Sequence, residues 1–196
     1  MNIELLKRNF AKRNYQVSYF KSKEEVKKYF QNKYENEIIG FGASQSLREL
    51  ELYECLSKDN IVIWHWKNPG YQTLDLAKSA NIYFSSANGV SETGDIVNID
   101  GTGNRISMLS YGPKKAYIIV GKNKIAPSLK EAMLRAQHIA GPLNAKRLNK
   151  NTPCVHTGVC IDCNSKERIC KGMLILNRPM SSMEIEVVFV DMHLGY

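Results

Sequence analysis

The sequence lacks any apolar stretch near the roughly 20 residues that a membrane-spanning helix needs. Its first residues, Met1 to Arg8, also lack the basic stretch and apolar core of a secretory signal. We therefore expect a cytoplasmic protein, in which thiols stay reduced, so that a cysteine cluster indicates metal binding or catalysis rather than disulfides. No internal repeat, low-complexity tract or long linker divides the chain, which predicts a single domain over residues 1–196.

Acidic residues are in the minority. Nineteen Asp and Glu stand against 27 Lys and Arg, which gives a net charge of +8. This excess favours an anionic partner such as a nucleotide, a phosphate or coenzyme A, with a solvated surface as the alternative. No nucleic-acid recognition motif and no interleaving of aromatic and basic residues accompanies the charge, so we do not expect nucleic-acid binding.

Patterns typical of strands and helices alternate along the chain. Capping boxes at Ser22, Ser46 and Ser128 predict helix starts. An Asp-Gly step at Asp100 predicts a hairpin. The fold class is therefore α/β, with a mixed, mostly parallel sheet flanked by helices. Strands are predicted at 37–42, 60–66, 81–86, 94–100, 104–109, 115–121 and 183–191.

Four cysteines share one short window with the spacing C-x5-C-x2-C-x6-C: Cys154, Cys160, Cys163 and Cys170. The window is too polar for all four to be core residues, so residues 152–172 are predicted to form a metal-binding loop. A single Cys-x-x-Cys step with uneven flanking gaps is compatible with a four-iron iron–sulfur cluster, which we favour, and also with zinc. His156 is expected to be a surface residue and Cys55 a core thiol.

A ligand site is predicted where polar residues follow strands. Gly42 and Ser44 lie in a strand-to-helix turn whose free N–H groups attract anions, although Gln45 replaces the third glycine of the dinucleotide fingerprint. Asn88 follows the next strand. Glu92 is the candidate carboxylate nucleophile or base, with an ordinary turn residue as the alternative.

Further along the chain, amides and cations lie next to predicted strand ends. A clamp for an anionic ligand is predicted from Asn104, Arg105 and Lys124, since a guanidinium can form two hydrogen bonds with a carboxylate or phosphate. His65, between two tryptophans in an apolar segment, is interpreted as a structural histidine.

The run from Ser86 to Arg105, SANGVSETGDIVNIDGTGNR, resembles the central signature of the LUD domain, the lactate-utilisation family once catalogued as DUF162. The segments Tyr111–Lys115, Val120–Ile125 and Ala140–Leu148 are similar to the same family. Thr152–Cys170 resembles the cysteine tail of one branch of it. Together these motifs extend the resemblance over most of the chain.

The resemblance implies the α/β fold of the sugar-phosphate isomerase and CoA-transferase superfamily, which binds phosphorylated or CoA-linked ligands at strand ends. It also implies a link to an iron–sulfur-associated system that oxidises lactate to pyruvate. Ser91–Gly94 is loosely similar to the Ser-Glu-Asn-Gly motif that carries the catalytic glutamate of some CoA transferases, with Thr93 in place of Asn.

Three functions follow as hypotheses. The first is a subunit in the oxidation of lactate or another organic acid, with an iron–sulfur cluster on the four cysteines and other subunits as partners. The second is a non-redox enzyme or binding protein for an anionic small molecule, with structural zinc. The third is a regulatory or scaffolding module. A homo-oligomer is a further candidate assembly.

Overall fold

The structure, a computed structural model, describes all 196 residues. The α-helices are α1 (Ile3–Ala11), α2 (Lys23–Phe30), α3 (Gln45–Glu49), α4 (Leu52–Leu56), α5 (Tyr71–Ala77), α6 (Asn104–Ser110), α7 (Leu129–Arg135), α8 (Gly141–Arg147) and α9 (Pro153–Thr157). A 3-10 turn covers Lys122–Lys124 and a π-helical turn Ala136–Ala140. None of the helices is both long and apolar enough to cross a membrane.

Ten strands form two sheets. They are β1 (Gln16–Phe20), β2 (Ile38–Phe41), β3 (Ile61–Trp64), β4 (Ile82–Ser86), β5 (Gly89–Ser91), β6 (Ile96–Asp100), β7 (Lys115–Gly121), β8 (Ile125–Ala126), β9 (Gly172–Leu176) and β10 (Glu184–Val190). The larger sheet has the order β1-β10-β7-β4-β2-β3, and all its pairs are parallel. The smaller sheet has the order β8-β5-β6-β9 and is mixed.

Both faces of the larger sheet are covered, which explains why its central strands are apolar throughout. Along β7, Ile118 and Val120 pack into one core with α1 and the smaller sheet, and Tyr117 and Ile119 pack into the other with α2, α3 and α4. The alternation follows from the two-residue period of a strand. A third, smaller core lies between the smaller sheet, α7 and the π-helical turn.

The order of the larger sheet has a switch point between β2 and β4. From β2 the chain adds β3 on one side, and it then returns to place β4 and β7 on the other. Open parallel sheets bind ligands outside the carboxyl ends of the strands at such a point. Phe41 and Ser86, the last residues of β2 and β4, therefore mark where a ligand site is expected.

One predicted strand is wrong: residues 104–109 belong to helix α6. The Asp100 carboxylate accepts hydrogen bonds from the backbone N–H groups of Gly101 and Arg105, both at 2.8 Å. Gly103 has a φ of +90° and directs the chain into the helix. The Asp-Gly step thus caps a helix here, and the observed hairpin joins β5 to β6 instead. The α/β class with a mostly parallel sheet and flanking helices is confirmed.

Candidate functional site: a cationic cavity

A cavity of about 440 Å³ opens at the carboxyl edge of the larger sheet. Its walls come from the turns that follow β2, β4, β6 and β7, from α8, and from the cysteine window. Ser86 at the end of β4 and Lys124 after β7 lie at its base. The volume is within the range of natural sites for small molecules and cofactors.

Lys124 is the most unusual residue of the cavity. Only 4% of it is exposed, and no carboxylate forms a salt bridge with it. Its Nζ instead donates hydrogen bonds to Ser46 Oγ at 2.8 Å and to Ser86 Oγ at 2.7 Å. Buried cations are normally paired with an anion, so this amine lacks the partner that its charge requires.

The surroundings of Lys124 act against its charge. Burial is the main cause that lowers its pKa from 10.5 to about 7, and the cations Arg135 and Arg105 lower it further. Glu49 opposes the shift only weakly. At neutral pH the amine therefore exchanges readily between its charged and neutral forms, which is the property of lysines that act as bases or nucleophiles.

Arg105 begins the neighbouring helix, α6. Its Nε lies 3.8 Å from Asp100 Oδ2, and its guanidinium also donates to the carbonyl oxygen of Ile99. Its side chain is 12% exposed, so a ligand in the cavity would meet a guanidinium already held in place. Preorganised guanidinium groups bind carboxylates and phosphates well because little rotamer freedom is lost.

An aromatic wall faces these cations. The guanidinium carbon of Arg147 lies 5.0 Å from the centre of the Trp66 ring, and Trp66 stacks on Trp64 at 5.3 Å. His65 lines the same wall, and its Nδ1 is buried without a hydrogen-bond partner. Burial lowers the pKa of His65, which favours the neutral ring.

The charge of the cavity is strongly one-sided. Seven cationic side chains line it against two carboxylates, those of Asp100 and Glu167. Such a wall concentrates anions and repels cations. Besides Lys124, Arg105 and Arg147, the cations are Lys150, Lys166, Arg168 and Lys171.

Five of the predicted ligand-binding residues line this cavity: Ser44, Asn88, Asn104, Arg105 and Lys124. Two of these side chains also accept hydrogen bonds from backbone N–H groups. Ser44 Oγ accepts from Leu47 N at 3.2 Å, and Asn88 Oδ1 accepts from Ile99 N at 2.8 Å.

Gly42, the sixth predicted residue, is not part of the lining but lies directly behind it. A Cβ added there would come within 2.8 Å of Tyr83 Oη and 3.0 Å of Arg105 Cγ. Gly42 therefore makes room for the side chain of Arg105, which does line the cavity.

Glu92 is separate from these residues. It lies in the turn between β5 and β6, outside the cavity lining. Around it, Asp95 accepts from Ser91 Oγ at 2.7 Å, from Thr93 Oγ1 at 2.8 Å and from Asn177 Nδ2 at 2.7 Å. The segment from Ser91 to Asp95 thus forms a hydrogen-bonded turn around a buried carboxylate, and the catalytic role of Glu92 stays a prediction.

The four cysteines of the window are free and half-buried. Arg168 organises the loop between them: it donates to the carbonyl oxygens of Cys163 at 2.7 Å and Cys170 at 2.8 Å. Burial raises the pKa of the Cys170 thiol, Arg168 lowers it, and Cys160 and Cys163 raise it. Cys154 lies on α9, with its Sγ 3.3 Å from Thr152 Oγ1.

The donor set of this window suits a soft metal, since it offers four thiols and most of them lie on irregular chain that can adjust. The arrangement itself does not gather them: no three His, Cys, Asp or Glu side chains are placed to hold a metal ion. The residue types of the window therefore fit an iron–sulfur cluster or zinc. The loop would have to close before its four thiols could bind either one.

The cysteine window contacts the cavity. Cys170 lines it, and also lines a second cavity of about 390 Å³ together with Cys160 and His138. Lys171 N donates to the carbonyl oxygen of Asp100 at 2.9 Å. A Cβ added at Gly101 would lie 2.6 Å from the carbonyl oxygen of Ile169, so the window packs on the turn that positions Arg105.

Several residues of the site are not predicted from the sequence. Ser86 could have been found, because it ends a strand at the predicted edge. Asp100 is assigned only to a hairpin, although it caps α6 and lines the cavity. Trp66 and Arg147 carry no local signal, since an apolar strand end and a basic helix meet only in the folded chain.

The sheet order, the switch point and the cavity define an α/β protein with a cationic cavity at the carboxyl edge of a parallel sheet. The family model of the LUD domain matches residues 3–190, so the chain belongs to the LUD domain family. A crystal structure of a DUF162 family protein from Deinococcus radiodurans shares the fold, with a TM-score of 0.51 and 12% identity over 96% of this chain and 95% of that one. No curated protein matches the sequence.

Proposed function

We propose that this LUD-domain protein takes part in the utilisation of lactate or a related organic acid and binds the acid as an anion in its cavity. The buried, unpaired amine of Lys124 carries the proposal. A carboxylate placed beside it would supply the opposite charge that the fold itself does not provide.

The geometry supports a carboxylate ligand with a polar group next to it. Arg105 offers a fixed guanidinium, and Lys124 and Ser86 offer an amine and a hydroxyl 2.7 Å apart. The neutral amine can accept a proton from a ligand hydroxyl and the charged amine can return it. Trp66 and the half-buried His65 add aromatic surface to one side of the cavity.

Binding of lactate and pyruvate should depend on Arg105. We expect Arg105→Gln to weaken both by about ten- to a hundredfold, because a charged hydrogen bond contributes about 1.5–3 kcal/mol. Lys146→Gln is the matched control, since Lys146 is exposed on α8 next to Arg147 and outside the lining. Isothermal titration at low and high salt measures both, and added salt should weaken binding.

Inorganic phosphate and coenzyme A belong in the same titration. If either binds much more tightly than lactate and pyruvate, the ligand is phosphorylated or CoA-linked and the organic-acid assignment is wrong. If none of the four binds, the cavity is not an anion site.

The cysteine window supports a second proposal: Cys154, Cys160, Cys163 and Cys170 bind an iron–sulfur cluster, or zinc, in the functional protein. The donor chemistry supports it, since four thiols in one window are the ligands that a cluster or zinc binds. A bound cluster would supply one-electron transfer, whereas zinc would only fix the loop. Arg168, which donates to the carbonyl oxygens of Cys163 and Cys170, would hold these two parts of the loop near each other while the thiols close around the metal.

Metal content tests this proposal. Protein purified without oxygen should be brown and contain iron, and the double variant Cys160→Ser with Cys163→Ser should lose both the colour and the metal. Cys55→Ser is the matched control, because Cys55 lies on α4, outside the cysteine window, and its thiol donates a hydrogen bond to the carbonyl oxygen of Lys27 at 3.5 Å. Colourless protein that retains zinc would favour the structural metal, and wild-type protein with neither metal would contradict the proposal.

A further inference from the structure

We propose that Lys124 forms a reversible covalent imine with a 2-oxo acid in the cavity. The inference rests on the proposed anion site and adds the chemical class of its ligand: a carboxylate with a carbonyl group on the adjacent carbon, such as pyruvate.

The hydrogen bonds of Lys124 leave its nitrogen available for attack. In the neutral amine, two N–H bonds are directed to Ser46 Oγ and Ser86 Oγ, and the lone pair occupies the remaining position. Ser86 Oγ in turn donates to the carbonyl oxygen of Ile119 at 2.6 Å, so this hydroxyl is committed as the acceptor from Lys124. Lys124 and Ser86 both line the cavity, so a ligand there lies next to the Lys124 side chain.

The charges around Lys124 favour the neutral amine and hold the carboxylate of the ligand. Three charged groups act on it: Arg135 from α7, Arg105 from α6 and, weakly, Glu49 from α3. Desolvation together with neighbouring cations is the usual means of activating an imine-forming lysine. The guanidinium of Arg105 can hold the ligand's carboxylate while the amine reaches its carbonyl carbon.

The step is balanced without any further reagent. The nitrogen lone pair attacks the carbonyl carbon, a C–N bond forms, and the carbonyl oxygen takes the proton that the nitrogen loses. In the resulting carbinolamine the C–O bond breaks, the hydroxyl leaves as water with the second proton of the nitrogen, and a C=N bond remains. Water reverses the reaction, and no electrons are gained or lost.

Borohydride trapping tests the inference. Protein incubated with pyruvate and reduced with sodium borohydride should carry one carboxyethyl group, and peptide mass mapping should place it on Lys124. With a pKa of about 7, its neutral fraction at pH 7 exceeds that of an ordinary lysine by about a thousandfold. We expect Lys124 to react on the order of a hundredfold faster than the other lysines, with a rate that rises as pH passes through about 7.

Two variants and one competitor separate the outcomes. Lys124→Arg keeps the charge and should abolish labelling, whereas Lys146→Arg, at an exposed lysine outside the cavity lining, should retain it. Lactate has the carboxylate without the carbonyl, so it should protect wild-type protein and leave no adduct of its own. This competition needs no variant to fold.

Two results would overturn the imine. The first is binding of pyruvate and lactate to wild-type protein without an adduct on Lys124, which would leave the anion site intact. The second is labelling spread evenly over surface lysines. Absence of binding by both acids would instead remove the anion site, and the imine with it.

Discussion

Replacing Lys124 by methionine should abolish anion binding and at the same time stabilise the protein at pH 7 by about 2 kcal/mol. A lysine whose pKa falls from 10.5 to about 7 on folding destabilises the folded state by about 4 kcal/mol at neutral pH. The loss of the hydrogen bonds to Ser46 and Ser86, at about 1 kcal/mol each, offsets part of that gain.

The sign of this effect depends on pH. Because the folded-state pKa is lowered, the unfolded chain binds more protons between about pH 7 and 10.5, and the stability of the wild-type protein rises over that interval. Above pH 10.5 the amine is neutral in both states, so only the lost hydrogen bonds remain and the variant should be the less stable protein. Urea unfolding at both pH values measures the crossover, with Lys146→Met as the exposed control.

A variant equally destabilised at both pH values would show that burial of Lys124 carries no charge penalty. The reason given for its reactivity would then fail. A stabilised variant that still binds anions would place the ligand elsewhere.

Asp95→Ala should destabilise the protein by about 3–5 kcal/mol, because it leaves several buried donors without an acceptor. Asp95 is 3% exposed, pairs with Arg13 of the segment after α1, and accepts from Ser91, Thr93 and Asn177. It therefore joins the segment after α1, the β5–β6 turn and the segment after β9. Urea unfolding at pH 7 measures the loss.

At acidic pH the difference in stability between the wild-type protein and Asp95→Ala should become smaller. Burial acts to raise the pKa of Asp95, but the hydrogen bonds from Ser91, Thr93 and Asn177 and the charge of Arg13 outweigh it and lower the pKa below 3.8. The stabilisation is complete above the unfolded-state pKa and is lost as the pH falls through the folded-state value.

Glu92→Gln is the matched control for Asp95→Ala, because Glu92 lies in the same turn and its side chain has no hydrogen-bond partner there. We expect a change in stability within about 0.5 kcal/mol. The same variant tests the predicted catalytic role of Glu92: unaltered ligand affinity and turnover would exclude it. A loss as large as that for Asp95→Ala would contradict the account of the turn.

Elements that local chemistry specifies are predicted well. The capping serines Ser22 and Ser128 accept from Glu25 N and Glu131 N as the capping boxes indicate, and the apolar segments of β2, β4, β7 and β10 are strands. The third helix, α3, is capped by Ser44 rather than Ser46, and Ser46 Oγ instead accepts a hydrogen bond from Lys124.

Elements that depend on distant partners are not predicted. β1 mixes polar and apolar residues and exists because it pairs with β10 at the other end of the chain. β9 follows the cysteine window and pairs with β6. Asp100 shows the limit of turn signals, since the same Asp-Gly step serves a hairpin or a helix start according to what the carboxylate binds.

The candidate site also has a part that the sequence predicts and a part that only the folded chain shows. Arg105 and Lys124 are predicted because they follow strand ends, where the sheet order collects side chains. The burial of Lys124 and the stacking of Arg147 on Trp66 follow from tertiary packing, which no single segment encodes. The position of Cys170 at the cavity wall is likewise a property of the folded window.

The position of β10 between β1 and β7 has a consequence for how the chain assembles. The last strand in the sequence is an interior strand of the sheet, with β1 on one side and β7 on the other. During synthesis β1 has no partner, and β7 presents an open hydrogen-bonding edge until β10 has left the ribosome. Such long-range closure slows folding and exposes the nascent chain to aggregation in the interval.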